Sequence, residues 1–596
     1  MLPLLSNGDT NPLFDANLPF KDETISNNVI ERFNFDWNIN KALRLKASFY
    51  INYGDSNSSS YRSPFSSSYT LKQILDEGYG YLPVDKRGEM SKNDSKSLDV
   101  SSNVVLNYNK QIGNHTLFFG LGGELEYRKY DGYGFSVQGF PNDKFQDVAF
   151  AMQYKEGSKP YSSSSKSKSV GVFLNGNYIY NDKYFADLSI RYDGSSKFGA
   201  DNKFAAFWSV GGGWNIHKEN FFSNGFLEEL KLRYNYGVTG NQEFSAHQAI
   251  TTYAYRTDLL YDNTISATLK AYGNPNLKWQ EQKSHNLGLD FVLKEGRIRT
   301  SLNYYQKRTT GMLADITVAP SLGFPSGTYK ANLGEIENIG YEANINAVLI
   351  RNQEKDLEWG IGLQLAHNES KILKISDALK TINDANNAAK KVPGLVYEEG
   401  ESLTTIKAVK SLGIDPATGE ELFLKKDGQT ITRIWDAEDK IIGGNSEPVL
   451  FGNISNNLYY KSWNLNMVFT YSLGGDIYNQ TVVDKIENLN PNFNGDKRAL
   501  TNRWKKPGDE TSYKAINTSD KTFISTRFIQ NQNILQLSNL SLSYQFDSKK
   551  LSKYRIDALR LSFYANDLFR LSNVEVERGT DYPFARSFGF GLNVRF

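Results

Sequence analysis

The last ten residues, Ser587–Phe596, read "SFGFGLNVRF". In an extended chain successive side chains point to opposite faces. Phe588, Phe590, Leu592, Val594 and Phe596 therefore share one face, and Gly589, Gly591, Asn593 and Arg595 share the other. Chain ends are normally frayed and polar, whereas this one finishes inside a strongly patterned strand with an aromatic residue in final position.

The same period of two runs through the sequence. "YFADLSIRYDG" sets Ala186, Leu188, Ile190 and Tyr192 against Asp187, Ser189 and Arg191. "LKLRYNYGVTG" sets Leu230, Leu232, Tyr234 and Tyr236 against Lys231, Arg233 and Asn235. "WNLNMVFTYSL" and "LRLSFYAND" repeat the pattern, the latter with Arg560 on its polar side. Tyr and Phe number 36 each, Gly 48, and mean hydropathy is −0.52. No apolar run approaches the ~20 residues of a membrane helix, so the composition points to an all-β chain.

Alternation suits a soluble sandwich or a membrane barrel equally well. Two features favour the barrel. Many runs reach ten or more residues, longer than ordinary soluble strands and matched to the ~9–11 that a tilted spanning strand needs. Connections also alternate between short polar turns, such as "YNDKYF" and "LKEGRI", and long segments rich in Ser, Asn, Gly and Asp. The long ones fall near 54–95, 130–167, 240–281, 309–333, 370–448 and 475–532. Short periplasmic turns and long extracellular loops produce this rhythm, and aromatics such as Tyr178, Tyr180, Tyr184 and Phe185 at strand ends suit an interfacial girdle.

The reading gives about seventeen strands over residues 29–596, with 1–28 as an extracellular segment. An odd count with the chain start outside predicts further strands upstream, because bacterial single-chain barrels carry even numbers. Open edges make the same point, since unpaired backbone in lipid costs several kcal/mol per group. "MLPLLSNGDT" has no basic region and only a token apolar run, so it does not read as a secretory signal peptide.

Lys+Arg 68 against Asp+Glu 66 gives a net charge of +2, with no basic stripe for nucleic acid. Cysteine is absent, which removes disulfides, thiolate nucleophiles and cysteine metal sites. The five histidines, His115, His217, His247, His285 and His367, are too dispersed to suggest a ligand cluster. "DGSSKFGADNK" (193–203) and "GIDPATGEE" (413–421) lack the carboxylate spacing of a calcium loop and read as turns. "VGGGWN" (210–215) lies inside a strand pattern and reads as a close-approach feature rather than a phosphate loop. No cofactor or metal is expected, and no Ser/His/Asp-type constellation suggests an enzyme.

Eight stretches in series resemble the SusC/RagA-type TonB-dependent outer-membrane transporters of Bacteroidetes. They are "RYDGSSKFG" (191–199), "LKLRYNYGVTGNQ" (230–242), "NPNLKWQEQKSHNLGLDF" (274–291), "GEIENIGYE" (334–342), "GIDPATGEELF" (413–423), "NRW" (502–504), "LQLSNLSLSYQF" (535–546) and "YPFARSFGFGLNVRF" (582–596). The resemblance implies a barrel of about 22 strands with a plugged lumen, of which about seventeen are present here. The plug, the TonB-contacting segment and the signal peptide that the family carries near its amino terminus are not found in these residues. It further implies uptake of a large nutrient, glycan or peptide, under a SusD-like surface lipoprotein, driven by TonB–ExbB–ExbD through the plug. A passive pore or a non-transporting binding protein in the outer membrane is the alternative.

Within that frame the terminal set Phe588, Phe590, Leu592, Val594 and Phe596 resembles the signal read by the barrel-assembly machinery. Arg191, Arg233, Arg560 and Arg595 are expected to face the lumen, because Arg on the lipid face at the midplane costs about 2–4 kcal/mol. They either contact the plug or solvate the lumen. Loop aromatics Tyr154, Tyr161, Tyr253, Tyr255, Tyr261 and Trp435 are candidates to stack on sugar rings or pack a peptide, or simply to pack the loops.

Overall fold

The computed structural model describes residues 10–596 except 72–79, 223–224, 242–247, 263, 318–327, 333, 376–382, 385, 490–495, 517–521, 548–550, 552, 554 and 576–585. Seventeen long strands run in one antiparallel meander, each paired with the next along the chain. They are β1 Phe20–Asn38, β2 Leu43–Arg62, β3 Glu89–Ile112, β4 His115–Gln138, β5 Tyr161–Tyr180 and β6 Tyr184–Ser195. Then come β7 Phe204–Asn215, β8 Leu227–Asn241, β9 Gln280–Leu293, β10 Ile298–Thr310, β11 Glu335–Asn352 and β12 Leu357–Lys374. The last five are β13 Leu450–Tyr460, β14 Trp463–Tyr478, β15 Ile529–Gln545, β16 Ala558–Ser572 and β17 Ser587–Arg595. A two-residue strand, Gln153–Tyr154, adds an eighteenth member against β4. Among the described residues β1 pairs only with β2 and β17 only with β16.

Turn chemistry explains one end of the sheet. The β5–β6 connection places Asn181 and Asp182 at φ 53° and 56°. That left-handed pair matches the right-handed twist of the flanking strands, and Asn and Asp tolerate it best.

The register sorts the side chains into two faces. Trp37, Leu45, Leu106, Leu121, Leu174, Ile190 and Trp208 lie opposite one another from β1 to β7. At the far end Leu542 faces Phe563, which faces Phe590. The other face carries Asp36, Lys46, Asn175, Ser189, Arg233, Asn303 and Asn466 in the alternating positions. The apolar face remains open, with Phe588, Leu592 and Phe590 61, 66 and 86 % exposed. A soluble sandwich would have covered it.

Several strands run further than their apolar patterning. β3 and β4 have 24 residues each, about 80 Å at ~3.4 Å per residue, far more than a membrane crossing requires. Phe20–Asn28, Asn57–Arg62, Glu89–Ser95, Tyr130–Gln138 and Tyr161–Ser167 are therefore strand, although the alternation assigned them to the 1–28 segment and to loops. Their side chains show no clean alternation, and Tyr61, Met90 and Val137, from three of these stretches, pack with Phe140 in a buried cluster. Ser26 and Ser56 share a hydroxyl hydrogen bond of 3.0 Å across β1 and β2.

The long segments carry structure of their own. Two hairpins, Thr252–Tyr261 with Thr264–Ala271 and Leu313–Thr317 with Thr328–Asn332, rise between strands. Between β12 and β13, Thr405–Ile414 is the centre of a small sheet with Glu421–Leu424, Ile431–Thr432 and Lys440–Asn445. Buried clusters form at this end of the molecule, one of them being Val482, Val483, Ile486, Ala499 and Phe528.

Candidate functional site

The polar face is laced by arginine–carboxylate pairs. Arg191 Nη2 donates to Glu124 Oε2 (2.9 Å), and its Nε to Asp193 Oδ2 (2.6 Å). Arg233 holds Asp290 through two bonds of 2.6 and 2.9 Å and reaches Asn303 Oδ1 at 3.1 Å. Arg560 Nε donates to Gln545 Oε1 at 3.1 Å, and Arg595 alternates with Val594 and Phe596 on the polar side of β17. All four arginines lie on the polar face. Planar guanidinium forks suit such fixed cross-strand pairs.

A cleft of about 360 Å³ opens beside Arg191, lined by Glu124, Glu126, Asp193, Phe207 and Trp279. Two of the quoted motifs build it. Gly199 N donates to Leu277 O (3.1 Å), which brings 191–199 against 274–280. A Cβ at Gly199 would overlap the Pro275 carbonyl, so only glycine permits the approach. Phe198 then stacks on Trp279 at 4.3 Å, and Phe207 meets the same ring edge-on at 5.3 Å. "VGGGWN" lies in β7, where a Cβ at Gly213 would strike the Phe185 ring. The close-approach reading holds there.

The loop body between β12 and β15 is pinned by charges that sequence reasoning missed. Arg527 Nη2 reaches Glu421 Oε2 (2.9 Å) and Glu487 Oε1 (2.7 Å), with the three side chains 12, 7 and 0 % exposed. Burial opposes the Arg527 charge, but the two carboxylates outweigh it and hold its pKa above the usual value. Ser525 Oγ also donates to Glu421 (2.6 Å). Arg503 of "NRW" is 4 % exposed and donates to the carbonyls of Ala499 (2.6 Å), Lys514 (3.0 Å), Ile486 (2.5 Å) and Glu487 (3.0 Å). Burial depresses its pKa. Trp504 Nε1 donates to Pro416 O at 2.9 Å, joining "NRW" to "GIDPATGEELF". In the latter, Asp415 accepts from Ala417 N (2.9 Å) and Arg433 Nη2 (2.7 Å), the turn chemistry expected of Asp before Pro. Buried and solvated charges look alike in a sequence; only the motifs themselves marked this region.

The candidate loop aromatics do not converge on one cradle. Tyr154 sits edge-on to Phe135 (6.3 Å), and Tyr161 donates to Asn93 Oδ1 (2.9 Å), both at the end of β4. Tyr253 and Tyr255 stand 63 and 77 % exposed on the 252–271 hairpin. The Tyr261 side chain lies outside the described residues. Trp435 is given over to packing: its indole N–H donates to Ile524 O (2.8 Å) and its ring stacks on Phe523 at 5.1 Å. Lys440 lies 5.7 Å from the same ring.

Comparison with known proteins fits this geometry. The chain is 28% identical over 558 residues to TonB-dependent receptor P3 of Formosa agariphila, covering 85% of this chain and 53% of that one. It is 24% identical over 616 residues to TonB-dependent receptor SusC of Bacteroides thetaiotaomicron, covering 99% and 58%. The chain therefore spans little more than half the length of these relatives. The structure of the RagAB peptide transporter superposes with a TM-score of 0.80 at 23% identity, over 95% of this chain and 60% of that one, a likeness of fold. A family model described as TonB dependent receptor-like, beta-barrel matches residues 3–404. With two-thirds of its residues inside that match and a two-faced meander of seventeen long strands, the chain belongs to the TonB-dependent receptor β-barrel family.

Proposed function

We propose that residues 1–596 form the barrel portion of a TonB-dependent importer in the outer membrane, taking up large nutrients, glycan oligosaccharides or peptides. The observation that carries this is the division of the sheet. One face is a continuous apolar surface suited to lipid, and the other is a ladder of paired charges and amides suited to a wet lumen. The loop body at the long-loop end, held by Arg503 and Arg527, offers a firm platform for a SusD-like lipoprotein. Energy would enter from TonB–ExbB–ExbD through a plug domain lying outside this stretch of sequence. The barrel does no covalent chemistry; Arg191 and Arg233 present a fixed polar wall to the plug or to cargo. The terminal set Phe588 to Phe596 serves the assembly machinery.

The test is uptake of labelled oligosaccharide or peptide mixtures by cells carrying the protein, with and without functional TonB, and recovery of a surface lipoprotein with the barrel. Importer function predicts that uptake vanishes on loss of either this protein or TonB. Uptake that survives loss of TonB would make it a passive pore.

A further inference from the structure

A groove of about 1000 Å³ lies on the apolar face at the long-loop end. Its floor is a single cross-strand row: Phe49 opposite Ser102, Ser102 opposite Leu125, Leu125 opposite Val170, Val170 opposite Gly194 and Gly194 opposite Phe204. Five interstrand steps of ~4.8 Å make this row about 24 Å wide. A Cβ at Gly194 would collide with the Phe204 ring, so the bare backbone keeps the floor open. Ala200, Ile250 and Pro275, from connections beyond β6 and β8, wall its outer end. Leu125 and Ile250 are 59 and 60 % exposed.

The rim is basic. Lys168 lies one row further out, opposite Tyr127, with its ammonium 5.9 Å from that ring. Lys203 lines the groove from the connection before β7. Neither lysine forms an ion pair among the described residues. Glu126, which also borders the groove, is occupied on the polar face by Arg128 and by Ser169 Oγ (3.1 Å). Beyond the rim, Lys129 and Lys166 face each other on the same side of the sheet, with Lys129 paired to Asp131. A lysine above an apolar band keeps its stem in hydrocarbon and its charge at the headgroup level.

We propose that this groove binds a phosphorylated, multiply acylated lipid of the leaflet on the long-loop side. Its acyl chains lie along the Phe49–Phe204 row and its phosphate meets Lys168 and Lys203. A basic pocket set against an apolar wall selects anionic lipid headgroups, and the width of the row suits several chains rather than one. The inference rests on the reading that the apolar face meets lipid.

The test is native mass spectrometry of the protein extracted in detergent from its membrane, offered bis-phosphorylated lipid A or its dephosphorylated form. Retention of the phosphorylated form, reduced roughly 30-fold in affinity by Lys168→Gln with Lys203→Gln, is the expected result. That figure takes about fivefold for each lysine near an anionic lipid surface. Lys110→Gln, on the same face at the short-turn end, should leave binding unchanged. Equal retention of both lipids, or a double variant that binds like the parent, would overturn the proposal while leaving the barrel reading intact. Recovery of the protein from the soluble fraction would overturn both.

Discussion

Replacing Arg527 by Met is the sharpest perturbation of the loop body. Arg527 is the shared cation for Glu421 and Glu487, and the three side chains are 12, 7 and 0 % exposed. At an effective dielectric near 20 each attraction is worth about 4 kcal/mol at 4 Å, with the cost of desolvating all three charges set against it. Met fills much of the volume but leaves two carboxylates without their cation in a nearly dry site. Breaking a buried pair in this way costs about 3–5 kcal/mol. Arg527 also donates to Ser512 O (2.6 Å) and lies 4.3 Å over the Phe528 ring, so the loss spreads into the Val482–Phe528 cluster. Because the Arg527 pKa is raised, its guanidinium stays charged up to strong alkali, and the stabilisation holds wherever the two carboxylates are ionised. The defect in the variant is then not rescued by ordinary pH changes that leave the carboxylates ionised. Hydrogen exchange read by mass spectrometry should show protection falling by about two to four orders of magnitude in 413–424 and 525–530, with β1–β8 unchanged. Adding Glu421→Gln and Glu487→Gln should restore much of it. Unchanged protection in the single variant would refute the view that this triad holds the loop body.

Arg503→Met strands four carbonyl groups that the guanidinium now satisfies. At about 1–3 kcal/mol for each buried group left without a partner, limited proteolysis should open 496–516 while the sheet stays intact. Gly199→Val forces a side chain into the Pro275 carbonyl; overpacking of this kind costs about 1–3 kcal/mol and should expose 196–203 and 274–279 to protease. Asp427 accepts from Thr430 Oγ1 (2.6 Å), Gln429 N (2.8 Å) and Thr430 N (2.9 Å), which lower its pKa from 3.8 to about 2. The turn's stabilisation should therefore be full above about pH 4 and fade as pH drops through about 2. Exchange across 425–430 should follow that profile, and Asp427→Ala should abolish it.

Most of the sheet was legible because lipid and lumen impose opposite demands on alternate residues. Leu188, Ile190 and Arg191 can be sorted by parity alone, and the register sets Leu188 and Ile190 opposite Val210 and Trp208. The strand ends beyond the apolar band were not legible, since a stretch such as Ser162–Ser165 is serine on both faces and shows no alternation. The loop body was hidden for another reason. Glu487 and Arg527 are charged, and nothing local distinguishes a charge that will be buried from one that will stay in water. The arrangement of the loop aromatics was not legible, because spacing along a loop carries no information about convergence: Trp435 is drawn into packing while Tyr255 is left exposed.

The central claim is that alternate residues of each strand meet lipid and water. The chain contains no cysteine, so single cysteines placed along β16 at positions 559 to 566 report without background. In the membrane-embedded protein, cysteines replacing Leu559, Leu561, Phe563 and Ala565 should resist a water-soluble maleimide, and labels attached there should be quenched by brominated lipid. Those replacing Arg560, Ser562, Tyr564 and Asn566 should react and escape quenching. Reactivity that rises or falls smoothly along the strand, without alternation, would contradict the account.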